Sequence, residues 1–304
     1  MSTETSARES FASEKQAANL AGTLGSCWAL IKSRQTGLLL ATSVAGYLSA
    51  RPHTASLRQT ASMLLSLFAA VSGTTALNMV FDRDIDARMA RTANRPLPSG
   101  AMSPSEAALF GAFLVTAGVG IAVWMSPLFA IVIAAGVLFD LLVYTLWLKR
   151  RSPWSILFGG ISGGMPILAG RVLRTGKVDG LGLLLALSVL TWIPAHIMTL
   201  AMKYADDYRE AGVPTWPTVY GFVSARHFIA LSNGLRIVAL VGAGWLLEIC
   251  SYGMALLGVS GTVMLGLSLW SICRPSARLN DVLFKFASIH MLGSTVLLTL
   301  GTVV

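Results

Sequence analysis

The sequence predicts an all-α, polytopic membrane protein with about nine transmembrane helices. Hydrophobic residues make up 54% of its 304 residues and charged residues only 12%, about half the charged fraction of a soluble globular protein. The mean hydropathy is +0.67, and the apolar residues gather in stretches long enough to cross a bilayer. These observations exclude a water-soluble protein, a disordered chain, a collagen and a coiled coil.

The chain divides into a short tail and one membrane domain. Residues 1–22 are polar and mixed in charge, and they lack the apolar core and cleavage site of a signal peptide. We expect a flexible cytoplasmic tail there and a single transmembrane domain over 23–304. The predicted spans are 28–50, 60–81, 105–124, 128–147, 154–171, 180–203, 225–246, 250–271 and 282–303.

Local signals support several span boundaries. Ser103-Pro-Ser-Glu106 has the pattern of a capping box with proline at the first helical position, which would begin the third span. Pro214 and Pro217 are expected to end the sixth span and its extension. The fifth span, 154–171, is short and glycine-rich. We therefore expect it to lie deep in the bundle or to contain a break.

The distribution of lysine and arginine predicts the orientation in the cell membrane. Thirteen of these residues lie in or beside the loops that follow even-numbered spans, and five follow odd-numbered spans. Positive residues are retained on the cytoplasmic side, so the N-terminus is expected inside and the C-terminus outside. The net charge of +9 reflects this bias and does not indicate a nucleic-acid partner.

The first acidic cluster follows the second span. Asn78, Asp82 and Asp86 are spaced by four residues, which places them about 40° apart on one helix face. Such a column of oxygen ligands at the membrane surface suits Mg²⁺ bound to substrate phosphates. The alternative is a solvated charged loop. Asp84 points elsewhere and is expected to pair with Arg88.

The second acidic cluster, which includes Asp206 and Asp207, follows the sixth span. If the helix continues, His196, Lys203 and Asp207 share one face, with Asp207 at the surface and His196 inside the bilayer. Ionisable groups inside a membrane are functional candidates, although His196 alone is equally explained as a hydrogen-bonding contact between helices. Two acidic clusters on one membrane face suggest a shared, metal-bridged polyphosphate.

Cationic and aromatic side chains accompany these acids. Cations suited to stabilising a departing diphosphate are Arg88, Arg91, Arg95, Lys149, Arg150, Arg151 and Lys203. Asp140 and Tyr144 lie one turn apart in the fourth span. Tyr144 is a candidate for facing the substrate, whereas Asp140 is better explained as a buried hydrogen-bond partner. Trp192 and Trp216 are weaker candidates for a cavity lining, because tryptophan is common at membrane interfaces.

The sequence resembles the UbiA superfamily of intramembrane prenyltransferases. The resemblance rests on Asn78-Met-Val-Phe-Asp82-Arg-Asp-Ile-Asp86, continuing to Arg95-Pro-Leu-Pro, and it extends over roughly residues 28–300. Further similar stretches are Ile31-Lys-Ser-Arg34, Tyr144-Thr-Leu-Trp-Leu-Lys-Arg150, Gly159-Gly-Ile-Ser-Gly-Gly-Met-Pro166 and the region from His196 to Pro214. The similarity is greatest to the protoheme IX farnesyltransferase (haem o synthase) branch.

The resemblance implies a fold and a site. It implies nine helices around a central cavity that is open to the cytoplasm and laterally to lipid, with two Mg²⁺ ions on a prenyl diphosphate. By position, one ion is assigned to Asn78, Asp82 and Asp86, and the other to Asp207 with Asp206 as an alternative or additional ligand. Arg95, Lys149 and Lys203 are assigned to the diphosphate.

The predicted function is Mg²⁺-dependent transfer of an isoprenyl group, farnesyl or geranylgeranyl, to a membrane-associated acceptor. In the haem branch the acceptor is haem b, which His196 would orient or ligate, while Tyr144 would stabilise the allylic cation. This chain departs from the branch pattern at Ala195, Ile197, Thr215 and Trp216. The departures keep open an aromatic acceptor, such as a quinone or chlorophyll precursor, or a glycerol lipid. A cation-coupled transporter is a remote alternative.

Overall fold

The computed structural model describes residues 22–50 and 56–301, and these ranges contain helices and no strand. The predicted tail falls outside the described residues except for Gly22. The first predicted span is divided into α1 (Gly22–Ile31) and α2 (Ser33–Leu48). Lys32 separates them with a left-handed backbone (φ 49°, ψ 57°), which a residue other than glycine adopts infrequently. The first predicted span is therefore replaced by two shorter helices, and α2, with 16 residues, is not among the described segments long enough to cross a membrane.

The other helices follow the predicted order, and eight described segments are long and apolar enough to cross a membrane. These are α3 (Leu57–Phe81), α5 (Pro104–Met125), α6 with its π-helical continuation (Pro127–Leu138 and Phe139–Leu148), α7 (Ser155–Thr175), α8 (Gly180–Lys203), α10 (Trp216–Leu246), α11 (Ser251–Cys273) and α12 (Ala277–Leu300). Two short helices, α4 (Arg83–Arg88) and α9 (Ala205–Glu210), follow α3 and α8. The all-α membrane architecture is thus confirmed.

The helices form a closed bundle in which chain neighbours pack side by side. Each long helix contacts the next one along the chain, and α12 contacts both α8 and α2. One apolar core joins α7, α8, α10, α11 and α12, and a second joins α2, α3, α5, α6 and α7. A cavity lies between the two cores and is lined by α2, α3, α6 with its π-helical continuation, α7, α8 and α12.

The glycine-rich fifth span is an unbroken helix, α7, with Pro166 inside it. Its predicted deep position is confirmed, since α7 crosses α2 at backbone contact. A Cβ atom on Gly46 would overlap the carbonyl oxygen of Ile167, and one on Gly170 would overlap that of Ser43. Small residues permit this close approach of two membrane helices.

Two helix starts test the boundary predictions. The capping box at Ser103 and Glu106 is present at the start of α5. The seventh predicted span begins earlier than expected, at Trp216, because α10 includes a turn that ends at Gly221. Gly221 has φ +83° and ψ 164°, a conformation that only glycine adopts readily, and the straight part of α10 follows it.

We expect Gly170→Ala to destabilise the bundle by about 1–3 kcal/mol, because the new methyl group forces α2 and α7 apart. The measurement is the midpoint of thermal unfolding in detergent. Gly120→Ala is the matched control, since a Cβ there meets nothing within 4 Å and alanine is the better helix former. An unchanged midpoint for Gly170→Ala would contradict the close packing of α2 and α7.

Candidate active site

The first acidic cluster forms a continuous column although its residues lie on two successive helices. α3 ends at Phe81 and α4 begins at Arg83, but the hydrogen bonds from Asp82 N to Asn78 O (2.9 Å) and from Asp86 N to Asp82 O (2.8 Å) keep the four-residue repeat. Asn78, Asp82 and Asp86 are 8%, 6% and 4% exposed. The predicted column is therefore present, and it is buried rather than part of a solvated loop.

Each member of the column has a partner from another part of the chain. Lys149 Nζ forms an ion pair with Asp82 Oδ2, and Arg95 Nη1 lies 2.7 Å from Asp86 Oδ2. The amide of Asn78 donates through Nδ2 to Asp140 Oδ2 (2.6 Å), and its Oδ1 accepts from Thr145 Oγ1 (2.7 Å). Arg95 and Lys149 thus lie where the sequence predicted cations beside the acids.

One atom of the column is left without a hydrogen bond. Asp82 Oδ1 is buried and has no hydrogen-bond partner among the described residues, which costs free energy for a carboxylate oxygen unless a cation binds it. Among the described residues, no three His, Cys, Asp or Glu side chains converge into a complete metal site. Mg²⁺ commonly binds one or two carboxylates and takes its remaining ligands from water and substrate phosphates, so the oxygen atoms of this column fit that ion.

The second acidic cluster differs from the prediction in two respects. α8 ends at Lys203, and Tyr204 (φ −112°, ψ 33°) separates it from α9, so His196, Lys203 and Asp207 do not share one continuous helix face. Lys203 forms an exposed ion pair with Asp281 of α12 (2.9 Å) and is not paired with either acidic cluster. The single-helix stripe was therefore wrong, because it required a helix that ends at Lys203.

The two acids of this cluster have different surroundings. The side chain of Asp206 is 87% exposed and forms an ion pair with Arg209 in the same helix. Asp207 lies next to it with intermediate burial. Asp207 is therefore the less exposed of the two acids.

Apolar packing joins the segments that carry the two acidic clusters. Ile85 and Met89 form a small core with Ala211 and Val213, with Tyr208 packed against it. The guanidinium of Arg91 also lies over the ring of Tyr204, 5.5 Å from its centroid. The ends of α3 and α8 that carry acids therefore meet at one end of the bundle, which we call the acidic end.

Asp84 faces away from the column and pairs with a residue other than the predicted Arg88. Its two carboxylate oxygens accept from Arg150 at 2.6 and 2.7 Å. The hydrogen bond to Arg150 lowers the pKa of Asp84 to about 2. Arg88 is exposed at the end of α4. The Asp84–Arg150 pair is half exposed and contributes little to stability.

Lys32 is a cation of the site to which the sequence gave no role. It lies at the break between α1 and α2, near enough to interact electrostatically with Arg95, Lys149, Asp82 and Asp140. Burial lowers the pKa of Lys32 to about 8, and the positive charges of Arg95 and Lys149 add to this effect. Lys32 is therefore a group whose charge changes just above neutral pH.

The cavity next to the column has a volume of about 720 Å³. Its lining is mainly apolar, with Asp140, Tyr144, Ser162, His196 and Ser288 among the polar exceptions. The ring of Tyr144 packs against Gly159, where a Cβ would come within 2.8 Å of it, and its centroid lies 5.6 Å from Lys149 Nζ. Tyr144 therefore lies between the column and the apolar space.

His196 lies on the far side of this cavity in an aromatic stack. Its ring is 4.7 Å from that of Trp192 and 4.4 Å from that of Phe284, nearly parallel to both. Nδ1 lies 3.2 Å from the hydroxyl of Ser288, and Trp192 Nε1 donates to Ala287 O. The imidazole is thus held in one orientation at the cavity wall by residues of α8 and α12.

Thr215 and Trp216 do not line the cavity. Thr215 is 5% exposed and forms the capping box of α10 with Thr218. Trp216 stacks edge-on with Trp154 (4.7 Å) and also contacts Phe228. The structure therefore separates these two predicted specificity residues from the described cavity lining.

The family model for UbiA prenyltransferases matches residues 39–290. The chain belongs to the UbiA prenyltransferase family. Protoheme IX farnesyltransferase of Korarchaeum cryptofilum is 44% identical over 211 residues, which cover 69% of this chain and 70% of that protein. The protein of the same name from Desulforudis audaxviator is 40% identical over 232 residues, 75% of this chain and 72% of that one.

Solved structures support the fold of this UbiA family member. A digeranylgeranylglyceryl phosphate synthase superposes with a TM-score of 0.77 at 20% identity, covering 92% of this chain and 98% of that one. A UbiA homologue from Archaeoglobus fulgidus bound to DMAPP and Mg²⁺ gives a TM-score of 0.66 at 15% identity, covering 90% and 98%. This chain is accordingly a prenyltransferase with the UbiA fold, embedded in a membrane.

Two residues of this UbiA site carried no catalytic assignment in the sequence analysis. Lys32 was noted only within a similar stretch, although a lysine inside a predicted membrane span is itself a signal of function. Asp140 was expected to be a buried hydrogen-bond partner, and its contact with Asn78 confirms that interpretation. What the sequence did not reveal is that its partner belongs to the acidic column.

The pKa of Lys32 gives a testable pH dependence. If charged Lys32 helps to bind diphosphate, kcat/KM for the prenyl diphosphate falls about tenfold as the pH rises from 7 to 9, because the free enzyme loses that proton near pH 8. Lys32→Arg is expected to hold kcat/KM level to pH 9. The same decline in Lys32→Arg as in the unchanged protein would assign the titration to another group.

Proposed function

We propose that this UbiA prenyltransferase uses Mg²⁺ to transfer a farnesyl group from farnesyl diphosphate to haem b, producing haem o. The observation that supports the Mg²⁺ requirement is the buried column of Asn78, Asp82 and Asp86, in which no residue of the described ranges forms a hydrogen bond with Asp82 Oδ1. The acceptor is supported by relatives 40–46% identical that carry the name protoheme IX farnesyltransferase.

The proposed diphosphate site combines acids that hold the metal with cations that hold the substrate. Asn78, Asp82 and Asp86 would bind one ion, and Asp207, with Asp206 as the less buried candidate, the other. Bound Mg²⁺ supplies positive charge that neutralises the diphosphate as it leaves. Lys149, Arg95 and Lys32 surround the column and supply further positive charge for the same purpose. Lys203 and Arg88 would act only on the outer part of the substrate, since both are exposed.

In the proposed reaction the allylic C–O bond breaks and both electrons leave with the diphosphate. The farnesyl tail occupies the apolar cavity, where the ring of Tyr144 faces the allylic cation and stabilises it through its π-electrons. A vinyl carbon of haem then forms the new C–C bond. Water adds to the neighbouring carbon as hydroxyl, and its second proton is released to solvent.

We assign His196, together with Trp192, to the acceptor. The stacked, hydrogen-bonded imidazole presents a fixed edge to the cavity, which is suitable for contacting a flat macrocycle. The other acceptors, an aromatic ring or a glycerol lipid, were favoured by departures at Thr215 and Trp216. Since neither residue is among the described lining residues, these departures no longer support a different acceptor. Ile197, which does line the cavity, is the remaining departure that bears on specificity.

We also propose that the acidic end faces the cytoplasm. The positively charged loops at that end support this orientation, and cytosolic farnesyl diphosphate would then reach the site directly. The C-terminus would lie outside the cell, and the acceptor would enter from the bilayer.

The test is a product assay with purified protein, farnesyl or geranylgeranyl diphosphate, Mg²⁺, and either haem b or a panel of phenolic and lipid acceptors. Mass spectrometry should detect farnesylated, hydrated haem. A product formed only with another acceptor would overturn the haem assignment while leaving the prenyltransferase assignment intact.

We expect Asp82→Ala to lower the rate of prenyl transfer by about 100-fold or more, the loss typical of removing a group that stabilises transition-state charge. Asp84→Asn is the matched control: it removes a neighbouring carboxylate that faces away from the column and pairs with Arg150, and activity should stay within about twofold. Both proteins should remain folded in detergent, although Asp82→Ala leaves Lys149 without its partner and should unfold at a lower temperature. Full activity of Asp82→Ala would exclude the proposed metal site.

A further inference from the structure

The continuation of α6 is π-helical from Phe139 to Leu148. Its hydrogen bonds reach back five residues, and the last of them joins Lys149 N to Tyr144 O at 2.8 Å. A π-helix of ten residues is rare, and π-helical turns are frequent at functional sites. The mechanism above uses Tyr144 and Lys149 from this segment but leaves Asp140 and Thr145 without a role.

The π-helix brings Asp140 and Thr145 to the same side chain. Residues five apart lie about 140° apart on an α-helix, so an α-helical segment would turn one of them away. In a π-helix the backbone hydrogen bonds join residues five apart, so such residues lie near each other on the helix surface. Asp140 and Thr145 therefore both face α3. Asp140 Oδ2 accepts from Asn78 Nδ2 at 2.6 Å, and Thr145 Oγ1 donates to Asn78 Oδ1 at 2.7 Å.

These two contacts fix the orientation of the Asn78 amide, with Nδ2 toward Asp140 and Oδ1 toward Thr145. A carboxylate only accepts hydrogen bonds, so it requires the NH₂ group on its side. The reversed amide would place Oδ1 against Asp140 Oδ2, two acceptors in contact. Thr145, on the other side, supplies a hydroxyl proton to Oδ1 and leaves the second lone pair of that oxygen available.

We propose that Asp140 and Thr145 are positioning residues that hold Asn78 with Oδ1 in the metal column. The inference rests on the proposed function, because it assumes that Asn78, Asp82 and Asp86 bind a divalent cation. An oxygen can bind the cation, whereas the NH₂ group of a reversed amide would repel it. Groups that orient metal ligands in this way commonly change metal affinity 10- to 100-fold when removed.

The competing explanation is that the contact only packs α3 against the π-helical segment, as polar residues often do between membrane helices. Asp140 also contacts a third helix, since Ser162 Oγ of α7 lies 3.3 Å from Asp140 Oδ1. If Asp140 only packs helices together, replacing Asp140 or Ser162 should lower the thermal stability of the protein by similar amounts. Neither replacement should change its affinity for the metal. Metal affinity therefore distinguishes the two explanations.

The experiment is a Mn²⁺ titration of the full-length protein in detergent, followed by electron paramagnetic resonance, with a non-reactive thiolo analogue of farnesyl diphosphate bound. We expect Asp140→Asn and Thr145→Val each to raise the dissociation constant for Mn²⁺ about tenfold. Thr145→Ser keeps the hydroxyl, and Ser162→Ala does not touch Asn78. Both controls should bind Mn²⁺ as the unchanged protein does.

A reciprocal exchange tests the orientation itself. Asn78→Asp alone places two carboxylates in contact and should weaken Mn²⁺ binding. Combined with Asp140→Asn, the carboxylate at position 78 has two equivalent oxygens and accepts from the new amide. The double variant should bind Mn²⁺ within about threefold of the unchanged protein, as expected for coupled neighbours.

The outcomes separate this inference from the proposed function. If Asp140→Asn and Thr145→Val both leave Mn²⁺ affinity unchanged while Asp82→Ala abolishes binding, the positioning role is wrong and the metal column stands. If Asp82→Ala also binds Mn²⁺ normally, the metal column itself is wrong. Failure of the exchange to restore affinity after both single variants weaken it would overturn the orientation argument.

Discussion

The site depends on burying acidic side chains at the edge of a membrane bundle and neutralising them there. Asp82 and Asp86 are nearly inaccessible, and a carboxylate in such surroundings is strongly destabilising unless it is paired. Lys149 and Arg95 provide the pairs from two different connecting segments. The Lys149–Asp82 pair joins residues 67 apart in the chain and fixes the end of the π-helix against the end of α3. The Arg95–Asp86 pair spans nine residues and fixes the loop after α4.

The apolar half of the site follows from packing rather than from charge. α2 and α7 touch at Gly46 and Gly170, which brings α7 inward. Gly159 on the same helix leaves space for the ring of Tyr144. The cavity is therefore bounded on one side by charged groups and on the other by the aromatic stack of Trp192, His196 and Phe284. A substrate with a charged head and a long apolar tail matches this division.

Much of this arrangement could be predicted from the sequence because it depends on local periodicity. Apolar stretches of membrane-spanning length predicted most of the helices, and the four-residue repeat predicted the column of Asn78, Asp82 and Asp86. The failures concern departures from regular helix. The break at Tyr204 removed the stripe through Lys203 and Asp207, and a continuous apolar pattern carried no sign that Phe139–Leu148 would be π-helical. Long-range partners such as Asp281 for Lys203 depend on the tertiary arrangement, which residue spacing does not specify.

The distance along the chain between Asp82 and Lys149 has a consequence for how the protein is made. The partners are 67 residues apart, with α5 and α6 between them. A chain is synthesised from its N-terminus, so α3 enters the membrane while the counter-charge of Asp82 does not yet exist. Until α6 is inserted, the end of α3 must remain in contact with water. Assembly of the acidic end is thus a late step of membrane insertion. It is completed only when Lys149, which follows the π-helical segment, pairs with Asp82.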